Sequence, residues 1–200
     1  MQTRLIRTAI LACLLALLAP VAFADTWNID PAHTTVEFSV RHMTISNVKG
    51  VFNKVSGQVT ANGTDPSQVQ IEATIDAASL DTRQPKRDED LKGPNFFDVA
   101  KYPTITFKSK KIEANGEGKY KLTGDLTLHG VTKEVTLDVE GPSTQVKDPH
   151  GNIHIGAHAT TTINRQDFGL TFNRTIDTGG LMIGNDVSIT IDVEVVKKAA

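Results

Sequence analysis

Polar and apolar residues alternate with a period of two along most of this chain. The pattern is visible in Thr35–Val40, Val69–Ile75, Thr104–Lys108, Val131–Val139 and, longest, Asp186–Val195. Alternation at period two means a strand with one dry and one wet face. Val, Ile, Thr and Phe dominate these runs, as strand propensity expects. Weaker strands fit Gly50 through Val59, Tyr120–Leu128 and Ile153–Ile163. Asn62-Gly63, Asn115-Gly116 and His129-Gly130 mark turns between them, Asn-Gly being a strong hairpin signal. The reading gives about eight strands with short links, an antiparallel meander with no βαβ rhythm and no repeat.

One interval breaks the alternation. Ala77–Tyr102 carries Asp88-Glu89-Asp90-Leu91-Lys92 and then Pro94-Asn95-Phe96-Phe97. It predicts one or two short helices against the sheet, with the acids near a helix start, where they complement the dipole. Two adjacent phenylalanines cannot both face water cheaply, so this excursion is expected to plug one end of the structure. A meander with one apolar face stacks into a sandwich or closes into a barrel, and the alternation leaves both open. Closure would remove exposed edges, with the long C-terminal strand pairing with the N-terminal one. An eight-stranded barrel is filled by side chains or holds one small ligand.

The first 24 residues read differently. Arg4 and Arg7 precede an apolar run, Ala9–Leu18, and Ala22-Phe23-Ala24 gives a small-x-small exit before Asp25. That is a secretory signal peptide, cleaved between Ala24 and Asp25, and its apolar run is short for a span of about 20 residues. The expected location is therefore the periplasm. Ile10-Leu11-Ala12-Cys13 loosely resembles a lipoprotein box, but the apolar run continues well past Cys13. Loss of the signal removes the chain's single cysteine, so the mature domain must be stable without the disulfides its compartment would permit. It also removes two arginines, moving the formal net charge from −2 to −4. A mildly acidic chain does not favour nucleic acid or an anionic membrane surface. No later apolar run is long enough to span a bilayer.

Catalytic and metal chemistry find little support. His150, His154 and His158 would share one face of a strand, but four residues of strand span about 13 Å, too far for two to hold one ion at about 2 Å. No metal is expected. There is no nucleophile elbow, and Gly179-Gly180 with Gly184 precedes a strand rather than a helix, so it is not a phosphate loop. The large apolar candidates for the interior are Phe38, Val40, Met43, Phe52, Ile71, Ile75, Leu91, Phe96, Phe97, Tyr102, Ile105, Phe107, Leu126, Leu128, Ile163, Phe168 and Leu170. Composition alone favours a filled core.

Six segments, in order, change that weighting. They are Trp27–His33 leading into Val36–Met43; Val48–Phe52; Arg87-Asp88 with Leu91–Gly93; Phe96–Pro103; Gly124–Lys133; and Ile163–Gly169. Together they resemble the YceI family of secreted polyisoprenoid-binding proteins over nearly all of residues 25–200. The resemblance implies an all-β fold: an antiparallel eight-stranded lipocalin-like barrel with a short helical excursion, in a single lipid-binding domain. It implies an isoprenoid quinone, polyprenyl phosphate or similar lipid in an apolar channel walled by the residues above, held for sequestration or transport. It implies no catalysis, no metal and no cofactor beyond the bound lipid. Arg41, His42, Arg87 and Arg165 are head-group candidates from charge and motif position. The family often carries His in its Arg-Asp-x-His-Leu stretch, where this chain has the acidic Asp90, which does not favour an anionic head. The expected partner is a hydrophobic lipid, leaving room for transient contact with a membrane or membrane protein and for a homodimer. The alternatives are an enzyme acting on such a lipid, with Asp88 and Arg165 among its polar groups, and a structural or stress-related secreted domain.

Overall fold

The computed structural model describes residues 25–63, 65–177 and 179–199. The signal segment, including Ala24, lies outside the described residues; Asp25 opens the first strand. The strands are β1 (Asp25–Ile29), β2 (Thr35–His42), β3 (Ser46–Phe52), β4 (Val55–Ala61), β5 (Val69–Asp76), β6 (Leu80–Asp81), β7 (Thr104–Ala114), β8 (Lys119–Leu128), β9 (Val131–Glu140), β10 (Val146–Lys147), β11 (Ile153–Asn164) and β12 (Ile183–Lys197), with one α-helix, α1 (Pro85–Lys92), between β6 and β7. All pairings are antiparallel. They close into a ring β12–β11–β9–β8–β7–β5–β4–β1–β12. The barrel reading therefore holds over the sandwich.

Four strand positions are broken in two: β1–β2, β3–β4, β5–β6, and β9–β10, which share the edge of β11 opposite β12. β1 meets β12 at Asn28↔Val196 and Ile29↔Val195, and β2 takes over the same edge from Thr35↔Asp192 to His42↔Ile183. The break at Asp30–Thr34 has a local cause: Pro31 cannot donate to a ladder, and Asp30 Oδ1 accepts from Ala32 N at 2.9 Å instead. β3 and β4 are likewise halves of one position, which corrects the continuous Gly50–Val59 strand expected from the sequence. Chain polarity alone could not show the bend at Asn53–Lys54, where Asn53 N and Lys54 N turn to the Ser79 carbonyl and hydroxyl. β5 and β6 are parted by a 3₁₀ turn at Ala77–Ser79. Counted by position, the barrel has eight strands.

Alternation fixes which side chains enter. Val187, Ile189, Ile191, Val193 and Val195 of β12 line the interior, while Asp192 and Glu194 sit on the outer face. His129 and Gly130 both have positive φ, giving the two-residue turn whose twist suits a hairpin. Two glycines admit aromatic rings: a Cβ at Gly50 would lie 2.4 Å from the Phe38 ring, and one at Gly124 would lie 2.5 Å from the Phe107 ring. α1 starts at Pro85, whose missing N–H costs nothing there. The following Phe96 packs tilted against Phe172 at 5.1 Å and Phe97 meets Phe52 edge-on at 5.7 Å. Both adjacent phenylalanines are thereby drawn inward.

Candidate functional site: an apolar barrel cavity with a polar end

The barrel encloses a cavity of about 460 Å³. That lies within the range of about 300–1,000 Å³ common for small-molecule sites. Of the apolar candidates from the sequence, all line this cavity except Met43, Tyr102 and Phe168. Met43 belongs to the β2–β3 turn, with φ 50° and its N–H on the Met182 carbonyl. Tyr102 packs its ring 4.5 Å from His129. Phe168 is the most deeply buried large side chain, 2 % exposed, in the core behind the wall. Inward residues that sequence reasoning passed over include Leu122, Leu137, Val139, Ala159, Phe172 and the β12 stripe. The period-two signal for β12 and β9 was available, and Phe172, Leu122 and Leu137 match the chosen residues in size, so size did not set them apart.

The polar wall groups gather mainly at one end. His42 pairs opposite Ile183, where β12 begins, and Arg165 follows β11. Gly184 lies between them: its carbonyl accepts from Arg165 Nε at 2.9 Å, and a Cβ on it would meet Arg41 Cβ at 3.1 Å. Arg87 and Asp90 reach the wall from α1.

These groups differ in how far they are already engaged. The Arg165 guanidinium, 6 % exposed, donates to the carbonyls of Gly184, Leu170 and Phe172. Burial lowers its pKa below the ordinary arginine value. Its shorter bonds all go to the backbone, with a longer one at 3.5 Å to Asn185 Oδ1, so it braces this end of the barrel. Arg87 donates to the Thr82 hydroxyl at 2.7 Å and carbonyl at 2.8 Å. Arg41 grips the Thr44 carbonyl through two nitrogens, at 3.0 and 2.7 Å. Asp88 accepts from Thr82 N and Oγ1, fixing α1 to the strand before it. Asp88 and Arg165, the polar pair of the enzyme alternative, are thus both occupied in holding the fold.

The histidines of β11 do not converge on one another. His158 Nδ1 lies 2.8 Å from Asp192, and His154 lies between Glu194 at 2.7 Å and Asp148 at 3.3 Å. His150 sits in the preceding turn, its N–H on Asp148 Oδ1. Hydrogen bonds donated to Glu194 and Asp148 raise the His154 pKa, and the bond to Asp30 does the same for His33. The His33 bond in turn lowers Asp30. Burial pushes the Asp148 carboxyl up, but hydrogen bonds from Asn152, His154 and the His150 N–H outweigh it and bring it to about 2. A raised histidine stabilises below its unfolded pKa and loses that contribution as pH rises through the folded value. A lowered carboxyl stabilises above its unfolded pKa and loses that contribution on acidification. The contribution of this group should be greatest between about pH 4 and 6.5. Melting temperatures of the parent and His154→Gln should differ most in that window and converge on either side; a constant offset would refute the linkage.

A family model for the YceI-like domain matches residues 27–195. A UPF0312 protein of Staphylococcus aureus is 36% identical over 168 residues, covering 84% of this chain and 95% of its own. The YCEI protein of Campylobacter jejuni superposes with a TM-score of 0.66 at 36% identity, over 80% of this chain and 90% of its own. A polyisoprenoid binding domain from Saccharophagus degradans, implicated in plant cell wall breakdown, shares the fold at a TM-score of 0.59 and 16% identity, over 84% and 97% of the two chains. The chain belongs to the YceI-like domain family.

Proposed function

We propose that this protein is a periplasmic binding protein that holds a polyisoprenoid or similar long-chain lipid, such as an isoprenoid quinone or polyprenyl phosphate, within its barrel. The observation that carries the reading is the cavity: about 460 Å³, walled by apolar side chains from every strand position, with arginines and a histidine at one end. That asymmetry suits a ligand with a long apolar tail and a polar head. The polyisoprenoid binding of the Saccharophagus domain supports the same ligand class. His42, Arg41 and Arg87, which line this end of the cavity, are the head-group contacts in this reading. Binding rather than turnover is favoured because Asp88 and Arg165 are already engaged. The signal-like first 24 residues support a periplasmic location for the mature chain.

The energetics suit a carrier. Burying one CH₂ contributes about 0.8 kcal/mol, so a five-carbon isoprene unit contributes roughly 4. Against water, eight such units would exceed the practical ceiling near 20 kcal/mol. Against a membrane, nearly as apolar as the cavity, the transfer is close to balanced, and release remains feasible. The test is lipid mass spectrometry on the mature protein purified from periplasm. A stoichiometric isoprenoid is the expected result. A lipid-free protein that also fails to take up added ubiquinone or undecaprenyl phosphate would overturn the reading.

A further inference from the structure

On the outer face, at the end of β12 far from Ile183, three adjacent strand positions bring metal-ligating side chains together. Asp30 follows β1, Glu194 stands on β12 and His154 on β11. The strand register explains the meeting: Ile29 pairs with Val195, His154 pairs with Val196, and Asp30 N donates to the Glu194 carbonyl at 2.8 Å. One ligand atom from each of Asp30, His154 and Glu194 lies within 4.8 Å of the other two, and all three residues are partly buried. His33, from the turn after Asp30, adds a second imidazole: its Nδ1 is 2.8 Å from Asp30 and 3.8 Å from Glu194.

We propose that Asp30, His154 and Glu194, with His33 as a fourth ligand, form a binding site for a divalent transition-metal ion of the zinc class. Two imidazoles and two carboxylates are a donor set that zinc accepts, in tetrahedral geometry with bonds of about 2.0–2.2 Å. Ligand atoms on such an ion stand about 3.4 Å apart, so side-chain rotation must part the His154–Glu194 and His33–Asp30 pairs, now at 2.7 and 2.8 Å, and shorten the longer separations, which reach at most 4.8 Å in the Asp30–His154–Glu194 group.

The support around His154 is of the kind metal sites use. His154 Nδ1 faces Glu194 and its Nε2 faces Asp148. Both bonds together require the doubly protonated ring, so a proton now occupies the place where an ion would bind. An incoming ion takes the Nδ1 lone pair and that proton leaves to solvent. The Nε2–H stays on Asp148, a carboxylate that orients a ligating imidazole. Asp148 is itself fixed by the backbone N–H groups of His150 and Asn152 and by the Asn152 side chain. With both rings neutral, the three carboxylates give the site a charge of −3, which draws in a dication. The site lies outside the barrel, so it does not compete with a cavity ligand. It would clasp β1, β12 and β11, the strands that close the ring.

Titration of the metal-free mature protein with ZnCl₂ by calorimetry, and with CoCl₂ by visible absorption, tests this. The expected result is one ion per chain, a tetrahedral-type cobalt spectrum that zinc abolishes, and a melting temperature raised by zinc. Asp30→Asn and His154→Gln should each weaken binding at least tenfold. Asp148→Asn should weaken it by about ten- to a hundredfold while the cobalt spectrum stays tetrahedral, marking a positioning role. His158→Gln, on the same face but paired with Asp192, should bind as the parent does. Absence of stoichiometric binding in the parent would overturn the proposal. So would a loss in His158→Gln equal to that in His154→Gln, or unchanged affinity in folded Asp30→Asn and His154→Gln proteins.

Discussion

Replacing Arg165 with leucine is expected to lower the unfolding free energy by roughly 3 kcal/mol, at the upper end of what most single substitutions cost. The guanidinium is nearly inaccessible and ties three separate carbonyls, those of Leu170, Phe172 and Gly184, to the end of β11. Leucine supplies none of those donors, and each buried acceptor left unpaired costs about 1–3 kcal/mol. Two effects offset part of the loss. The native charge already carries a desolvation cost, visible in the lowered pKa, and the leucine side chain gains apolar contact. Arg165→Lys should fall between parent and Arg165→Leu, because a single ammonium cannot reproduce the spread of a planar fork. Chemical denaturation reads the effect directly. A change below about 1 kcal/mol in Arg165→Leu would show that these carbonyls find other donors, and that the arginine is not the brace at this end of the barrel.

Arg165 also shows where sequence reading reaches its limit. Charge and motif position mark it as unusual, and those signals suggest a group that touches a ligand. Its role depends on three carbonyls brought together by the return of the chain from Phe168 to Gly184, and a linear pattern does not encode that return. The strands are a different case. In β12, alternation alone sorts Val187, Ile189, Ile191, Val193 and Val195 from Asp192 and Glu194, because inside and outside are set by a local geometric period. The β3–β4 kink was hidden for the opposite reason: it turns on hydrogen bonds to a residue distant in sequence, from Asn53 and Lys54 to Ser79. Ranking the cavity wall by size found Phe38, Phe52, Phe96, Phe97 and Phe107, but it also selected Phe168, whose bulk fills the core behind the wall. The histidines show the same limit. Spacing along β11 speaks only to His154 and His158 on one strand; the pairing of β11 with β12 and of β12 with β1 brings His154 beside Glu194 and Asp30.

Phe107→Asp is expected to weaken lipid retention at least tenfold in a protein that still folds. Phe107 stands on β7 opposite Ala73 and Leu126, and its ring covers Gly124 on the way into the cavity. It belongs to the part of the wall that packs against Leu122, Leu137 and Ala159. A carboxylate there would face an aliphatic chain with no donor to meet it. Burying a polar group unpaired costs several kcal/mol, and each 1.4 kcal/mol is a factor of about ten in affinity. The group can escape part of that cost by taking up a proton as its pKa rises, so the expected loss is at least tenfold rather than total. Folding survives because the ring is only half-buried and, in the lipid-free state, the cavity can admit water to hydrate the new group. Phe107→Leu keeps an apolar surface and should retain lipid close to the parent level. Copurified lipid per chain, measured with circular dichroism on the same samples, separates the cases. Loss in the aspartate variant with retention in the leucine variant places the ligand against β7. Equal lipid in all three proteins would remove this wall from the binding surface, leaving a ligand confined to the arginine-lined end.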